Sequence, residues 1–338
     1  MICEKIDPEE SDEECEALKT IPWRMLVMLA LAFGTGAACA QYPSRAIKLI
    51  VPIPAGGAPD IAARVVGQKL SELLRTPVVV ENHAGSNGNI AGDMAAKAPP
   101  DGYTLLLGQD SLIAINPHLY AKMPFDTLKD LAPVATLVAN QFVLAVNPAL
   151  PVRNFQEFID YARRTTPPLA YASGGNGSQH HLSMELLKQR AGIDLLHVPF
   201  KGGAPATLAT VAGDTSAMFA GTSNAAQIKA GKLRALAVTG SRRSPEYPDL
   251  PTVGEFYPGY EVTIWLALFA PAGTPEPVLA RLRAAVATAL AAPDVREKLS
   301  AAGGIEPFAT TPDEFAELIR RDYDKYGKIV KAIGIRVD

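Results

Sequence analysis

"AIKLIVPIPAGGAPD", residues 46–60, passes from an apolar run through a glycine loop into a helix start. Residues 46–51 have the length and composition of a buried strand. From about Asp60 an amphipathic helix is expected, with Ile61, Val65, Leu70 and Leu73 on one face and Thr76-Pro77 ending it. "VVVEN" (78–82) reads as the next strand. After the glycine-rich "HAGSNGNIAG" (83–92) a short helix runs to Lys97, "PPDG" makes a turn, and "YTLLLG" (103–108) is a third strand. Strand and helix in alternation predict an α/β fold around an open, mostly parallel sheet.

The pattern then repeats. "FVLAVNP" (142–148) is a strand, and residues 154–164 are helical. "LAYASGG" (169–175) runs into "NGSQHHLSMELLKQRAG" (176–192), a helix with Ser178 as N-cap and Gly192 past its end. "IDLLHVPF" (193–200) leads to a loop and a helix over 205–212, with "AMFAG" (217–221) and "LRALAVT" (233–239) as further strands. "VPFKGGAP" (198–205) thereby echoes "VPIPAGGAP" (51–59), one copy in each α/β unit. In open α/β sheets ligands gather beyond the carboxyl ends of strands, where glycine exposes backbone N–H groups and helix N-termini favour anions. The echo therefore reads as two lips of one mouth. The tail is helical: Thr274-Pro275 opens one helix, and Thr311-Pro312-Asp313-Glu314 is a capping box. Phe315, Leu318, Ile319, Tyr323, Tyr326 and Val330 mark the buried stripe of that last helix.

Residues 25–40, "MLVMLALAFGTGAACA", have the short apolar run and small-residue end of a secretory signal, with Ala38-Cys39-Ala40 as the cleavage site and export to the periplasm as the consequence. The eight acids before residue 17 do not suit a signal, so the true start is expected near Leu18, with residues 1–17 an acidic extension. Cys39 lacks the lipobox aliphatic residue, Gly36 standing in its place. Cys3, Cys15 and Cys39 all precede the cleavage point, which excludes a thiol nucleophile, disulfide or cysteine metal site beyond it. Cleavage removes three of 32 basic and eight of 35 acidic side chains and turns a net charge of −3 into +2. No basic block stands out, so nucleic acid is not an expected partner.

Catalytic motifs with defined spacing are missing from the sequence. There is no G-x-S-x-G elbow, no phosphate-binding G-x-x-x-x-G-K-[ST], no H-E-x-x-H, and "GSNGNIAG" lacks dinucleotide spacing. No cofactor or metal is expected. His180 and His181 project about 100° apart on a helix and do not readily share a metal; one is expected to line the cleft and the other to be solvated. Asp60 is an N-cap, or braces the loop or takes a ligand amine or water. Ser178 is an N-cap and an anion-binding hydroxyl. Lys201 is solvated or pairs with a ligand carboxylate, Phe200 is core or cleft wall, and Trp265 packs near the hinge or on ligand.

"YPSRAIKLIVPIPAGGAPDIAAR", "VVVENHAGSNGNIAGDMAAKAPPDGYTLLLG", "INPHLYAKMPFD", "YASGGNGSQHHLSMELLK", "HVPFKGGAPA", "IKAGKLRALAVTGSRRSPEYPDLPTVGEF" and "LFAPAGTPEPVLARL" occur in this order. Together they resemble the Bug proteins, extracytoplasmic solute receptors of tripartite tricarboxylate transport systems. The resemblance implies a periplasmic-binding-protein-like Venus flytrap: two α/β lobes joined by a two-crossing hinge. It places residues 41–142 and 264–338 in lobe 1, residues 143–263 in lobe 2, and the crossings near 141–143 and 263–266, with the C-terminal helices returning to lobe 1. It implies a small carboxylate or related polar metabolite as ligand, held by backbone N–H groups, hydroxyls and waters. The residues so implied are Ala55, Gly56, Gly57, Asp60 and Ser111 in the first lobe, and Asn176, Gly177, Ser178, Phe200, Lys201, Gly202 and Thr222 in the second. Where members often carry an acid two residues before Met218-Phe219, this chain has Ser216, which makes ligand identity untransferable from relatives. The expected function is a monomeric receptor delivering its ligand to a membrane permease. The alternatives are an input module for a sensor kinase, or an enzyme on the same fold.

Overall fold

The computed structural model describes residues 42–56, 58–221, 224–302 and 305–337. The signal segment, the acidic extension, Gly57 and Thr222 lie outside the described residues. Arg45–Asp338 form one unit built on two sheets. The chain lays down β1 (Ile47–Val51), β2 (Val78–Asn82), β3 (Thr104–Gln109) and β4 (Leu131–Gln141) in the first sheet. It forms β5 (Val143–Val146), β6 (Leu169–Ser173), β7 (Leu195–Pro199), β8 (Ala217–Ala220) and β9 (Arg234–Val238) in the second, then returns with β10 (Thr263–Pro271) and β11 (Glu306–Pro307) to the first. The helices are α1 (Ala58–Leu74), α2 (Asn89–Ala96), α3 (Phe155–Arg164), α4 (Gln179–Ala191), α5 (Gly203–Ala212), α6 (Glu276–Ala291), α7 (Pro293–Ala301) and α8 (Pro312–Ile333), with shorter turns between.

The spatial orders are β11-β4-β10-β3-β1-β2 and β7-β6-β8-β5-β9. Strands β1, β2 and β3 are parallel, as are β6, β7 and β8. The sheets are more mixed than the alternation predicts, because β10 runs antiparallel to β3 and β4, and β5 antiparallel to β8 and β9. These are the strands that carry the chain between lobes. β4 passes into β5 through the single residue Phe142, and the return falls at Val262–Thr263. Buried Thr239 ties the crossings together. Its Oγ1 accepts from Phe142 N at 2.9 Å and donates to the Val262 carbonyl at 2.7 Å. The architecture is thus a two-lobed Venus flytrap.

Local sequence explains most elements. Ser178 and Thr311 cap α4 and α8, and Gly192 terminates α4 in the left-handed conformation (φ 62°). The buried face of α1 is displaced from the expected one. Ala62, Ala63, Val66, Leu70 and Leu74 are buried, while Leu73 is exposed. Small residues let this helix sit close to its sheet: a Cβ on Gly67 would stand 3.5 Å from Val78 Cγ1. On α8 the stripe departs from expectation at one turn, where Asp322 rather than Tyr323 is fully buried. Trp265 explains the exchange, its Nε1 donating to Asp322 Oδ2 at 2.8 Å. α8 also serves both lobes. Phe315, Leu318 and Ile319 pack with Trp265 and Phe269, whereas Tyr326, Ile329 and Val330 join the core around Leu144, Phe155 and Tyr171.

Candidate ligand-binding cleft

Strand direction locates the cleft. β4 runs with β3, since β10 opposes both, so the carboxyl ends of β1 and β3 lie at the end of the first sheet where β4 leaves it. Val143, the first residue of β5, pairs with Ala220, the last of β8. The carboxyl ends of β6, β7 and β8 therefore lie at the end of the second sheet that β5 enters. The loops after β1 and β3 share one junction with those after β6, β7 and β8, and α1, α4 and α5 begin there.

In the first lip, Ala55 and Gly56 are exposed, and Gly56 adopts φ 91°, a conformation glycine tolerates and other residues resist. Asp60 is no N-cap: it is the third residue of α1, nearly fully buried. Its carboxylate accepts from Gly56 N (2.9 Å), Arg64 Nε (3.1 Å) and Asn82 Nδ2 (2.8 Å). Burial opposes its charge, but the bonds from Arg64, Gly56 and Asn82 outweigh that and hold its carboxyl below the usual range. Asp60 thus braces the loop from behind, and Gly56 presents the surface. Ser111 is buried in a wide helical turn over Ser111–Ile115.

In the second lip, Asn176 is exposed, Gly177 is buried with φ 72°, and Ser178 Oγ accepts from His181 N at 3.3 Å. Gly202 (φ 107°) has open space where a Cβ would stand, and its N donates to the Gly174 carbonyl at 3.2 Å. Phe200 lies half-buried on the small core of Ala172, Ala206 and Met218. Lys201 is exposed and makes no ion pair among the described residues.

His181 is buried rather than solvated, and His180 is half-buried. His180 packs against Phe142 with ring centroids 4.6 Å apart, and burial lowers its pKa to about 4. His181 is buried, and its Nδ1 accepts from Gly177 N at 3.1 Å. Its ring stacks 3.8 Å from that of His197, and burial, then the neighbouring His197, lower its pKa to about 4. His197 Nε2 lies 2.6 Å from Ser173 Oγ, whose oxygen also accepts from Gly175 N. A serine–histidine contact suggests a nucleophile and base, but Ser173 is fully buried and its hydroxyl is also bonded to Gly175 of its own loop. The cluster holds the Gly174–Ser178 turn in shape.

Two residues of the junction escaped the sequence reading. Gln179 Nε2, at the start of α4, donates to Asp110 Oδ2, at the end of β3. Asp110 is fully buried; burial, and after it the Asp322 carboxylate, push its carboxyl well above the usual range. No local pattern flags an aspartate after a strand. Its partner is 69 residues away.

This arrangement matches known proteins. Residues 62–335 fit the family model described as tripartite tricarboxylate transporter family receptor. The chain belongs to this receptor family. A protein from the tcbD-tcbE intergenic region of Pseudomonas sp. strain P51 is 38% identical over 314 residues, covering 91% of this chain and 93% of its own. Among solved structures, an R. palustris protein determined with adipate superposes with a TM-score of 0.78 at 34% identity, over 87% of this chain and 99% of its own. MatC from Rhodopseudomonas palustris, with bound malate, gives 0.74 at 33% identity, over 86% of this chain and 100% of its own. This receptor is accordingly a solute-binding protein and not an enzyme.

Proposed function

We propose that this receptor is periplasmic and captures a small carboxylate between its lobes for delivery to a membrane permease of the tripartite tricarboxylate type. One observation carries the reading. Five strand ends from two sheets meet at one junction, glycine-rich loops follow β1, β6 and β7, and helices α1, α4 and α5 start from them. Backbone N–H groups and helix N-termini favour an anion without a committed arginine. The relatives that hold adipate and malate support the same class. Residues 55–57, Ser111, 176–178, 200–202 and Thr222 are proposed as the lining, with Asp60 acting through Gly56. Lobe closure over the ligand follows from the two-crossing hinge.

The test is a thermal-shift screen of mono-, di- and tricarboxylates, nicotinate-like aromatics and amino acids, followed by titration calorimetry. Ligands of the native state raise the midpoint progressively with concentration. A carboxylate that does so, and loses its effect in Gly202→Val, supports the reading. Silence from every carboxylate, or turnover of one, overturns it. Delivery is tested separately, by uptake in cells with and without the permease genes.

A further inference from the structure

A second cavity lies across the crossing strands from the cleft. The strand orders put β11 and β9 on one side of the crossings, and β3, β1, β8, β6 and β7, which carry the cleft loops, on the other. On the β11 and β9 side is a cavity of about 510 Å3, within the size range of small-molecule sites. Its walls come from both lobes: Glu306–Phe308 and the first turns of α8 on one side, and residues 240–247 on the other, with Asn140, Gln141 and Thr263 between them.

The lining is acidic. Arg242 and Arg321 face Glu246, Glu261, Glu306, Glu314 and Glu317, a net of −3. Arg242 is spent on Glu306 at 2.9 Å, Arg321 lies 3.6 Å from Glu261, and Glu314 closes the capping box of α8. That leaves Glu246 from one lobe and Glu317 from the other, neither with an ion pair among the described residues. Asn140 Oδ1 is buried at the wall without a hydrogen-bond partner. Glu246 is half-buried, and burial raises its carboxyl pKa. The acids are dispersed, because no three His, Cys, Asp or Glu side chains among the described residues converge as metal ligands do. Separated acceptors beside Phe308, Tyr247 and Leu318 suit a molecular cation with an apolar body rather than a bare ion.

We propose that this cavity is a second ligand site, taking a small organic cation whose amine or amidine head engages Glu246 and Glu317 while its body packs on Phe308 and Leu318. Because the walls belong to both lobes and the Arg242–Glu306 pair spans them, occupancy is linked to the angle between the lobes. Such linkage is reciprocal: a carboxylate in the cleft and a cation behind the hinge alter each other's affinity by the same factor.

The test uses the mature receptor and benzamidine as probe, with neutral benzamide as its isosteric control, by titration calorimetry. Benzamidine is expected to bind and benzamide not to. Glu246→Gln combined with Glu317→Gln is expected to weaken benzamidine by about tenfold or more. Gly202→Val, which blocks the cleft, is expected to leave benzamidine affinity unchanged, which separates this site from the proposed carboxylate site. Circular dichroism melting of both variants checks that the fold is kept. No benzamidine binding, equal binding of benzamide, an unaffected double glutamine variant, or loss of benzamidine in Gly202→Val each overturns the proposal.

Discussion

Gln179 reaches across the junction between the lobes to Asp110, joining the first residue of α4 to the last turn out of β3. This bond is made where the segment after β3, with Ala114, Ile115 and Leu119, shares one core with Leu182, Met184 and Leu187 of α4. Asp110 is buried, and burial, then the Asp322 carboxylate, pushes its carboxyl well above the usual range.

Removing that bond should loosen the junction between the lobes. Gln179→Ala is expected to weaken the carboxylate found in the screen by about fivefold, near the net worth of one hydrogen bond of about 1 kcal/mol. Asp110→Asn should preserve affinity, since it keeps a neutral acceptor. The carboxyl pKa is raised in the fold, so its stabilisation is present below about 3.9, the unfolded value, and is lost as pH rises through the folded value. Chemical denaturation from pH 4 to 8 should therefore show a smaller fall in stability for Asp110→Asn than for wild type.

Acid should disturb the second lip through its histidines. His181 is neutral in the fold, with a pKa of about 4 against about 6.5 unfolded. A depressed value gives stability that is complete above pH 6.5 and lost as pH falls towards 4. His181→Asn offers an acceptor to Gly177 N without titrating. It should flatten the decline of melting temperature between pH 6.5 and 4; an unchanged slope would assign the decline elsewhere.

Asp60 is predicted to act as a brace. Asp60→Ala strips partners from Gly56 N and Asn82 and should cost about 1–3 kcal/mol in denaturant unfolding, with weaker ligand binding. Asp60→Asn should lose less stability, because it retains one acceptor oxygen for Gly56.

Gly202→Val tests the second lip. At φ 107° a β-branched residue is strained, yet no atom lies within 4 Å of the added Cβ. The expected result is a loss of about 1–3 kcal/mol in stability with ligand binding abolished, read by melting and calorimetry in parallel. Binding at wild-type affinity would remove this loop from the lining.

Much of the fold was legible because local rules wrote it. The capping residues Ser178 and Thr311, the terminator Gly192 and the short apolar strands all act within a few residues of themselves. β4 and β10 were less legible. In β10, "TIWLALFAP" is buried on both faces and loses the alternation that marks a half-exposed strand, while β4, "LAPVATLVANQ", carries Pro133 and mixes buried with half-buried positions without a clean period. The face of α1 was misplaced by one position because alanine and glycine, not the larger Ile61 and Leu73, meet the sheet.

By itself the sequence determined the alternation of strands and helices, the two glycine loops and the absence of familiar catalytic motifs, since each depends on spacing along the chain. Only the tertiary structure decided that Asp60 is buried as a brace, that His181 stacks on His197, that Asp110 meets Gln179, and that acids from both lobes enclose a cavity behind the hinge. These relationships join residues brought together by sheet order. Burial and pairing set the charge and reach of a side chain, and neither is encoded within its own neighbourhood.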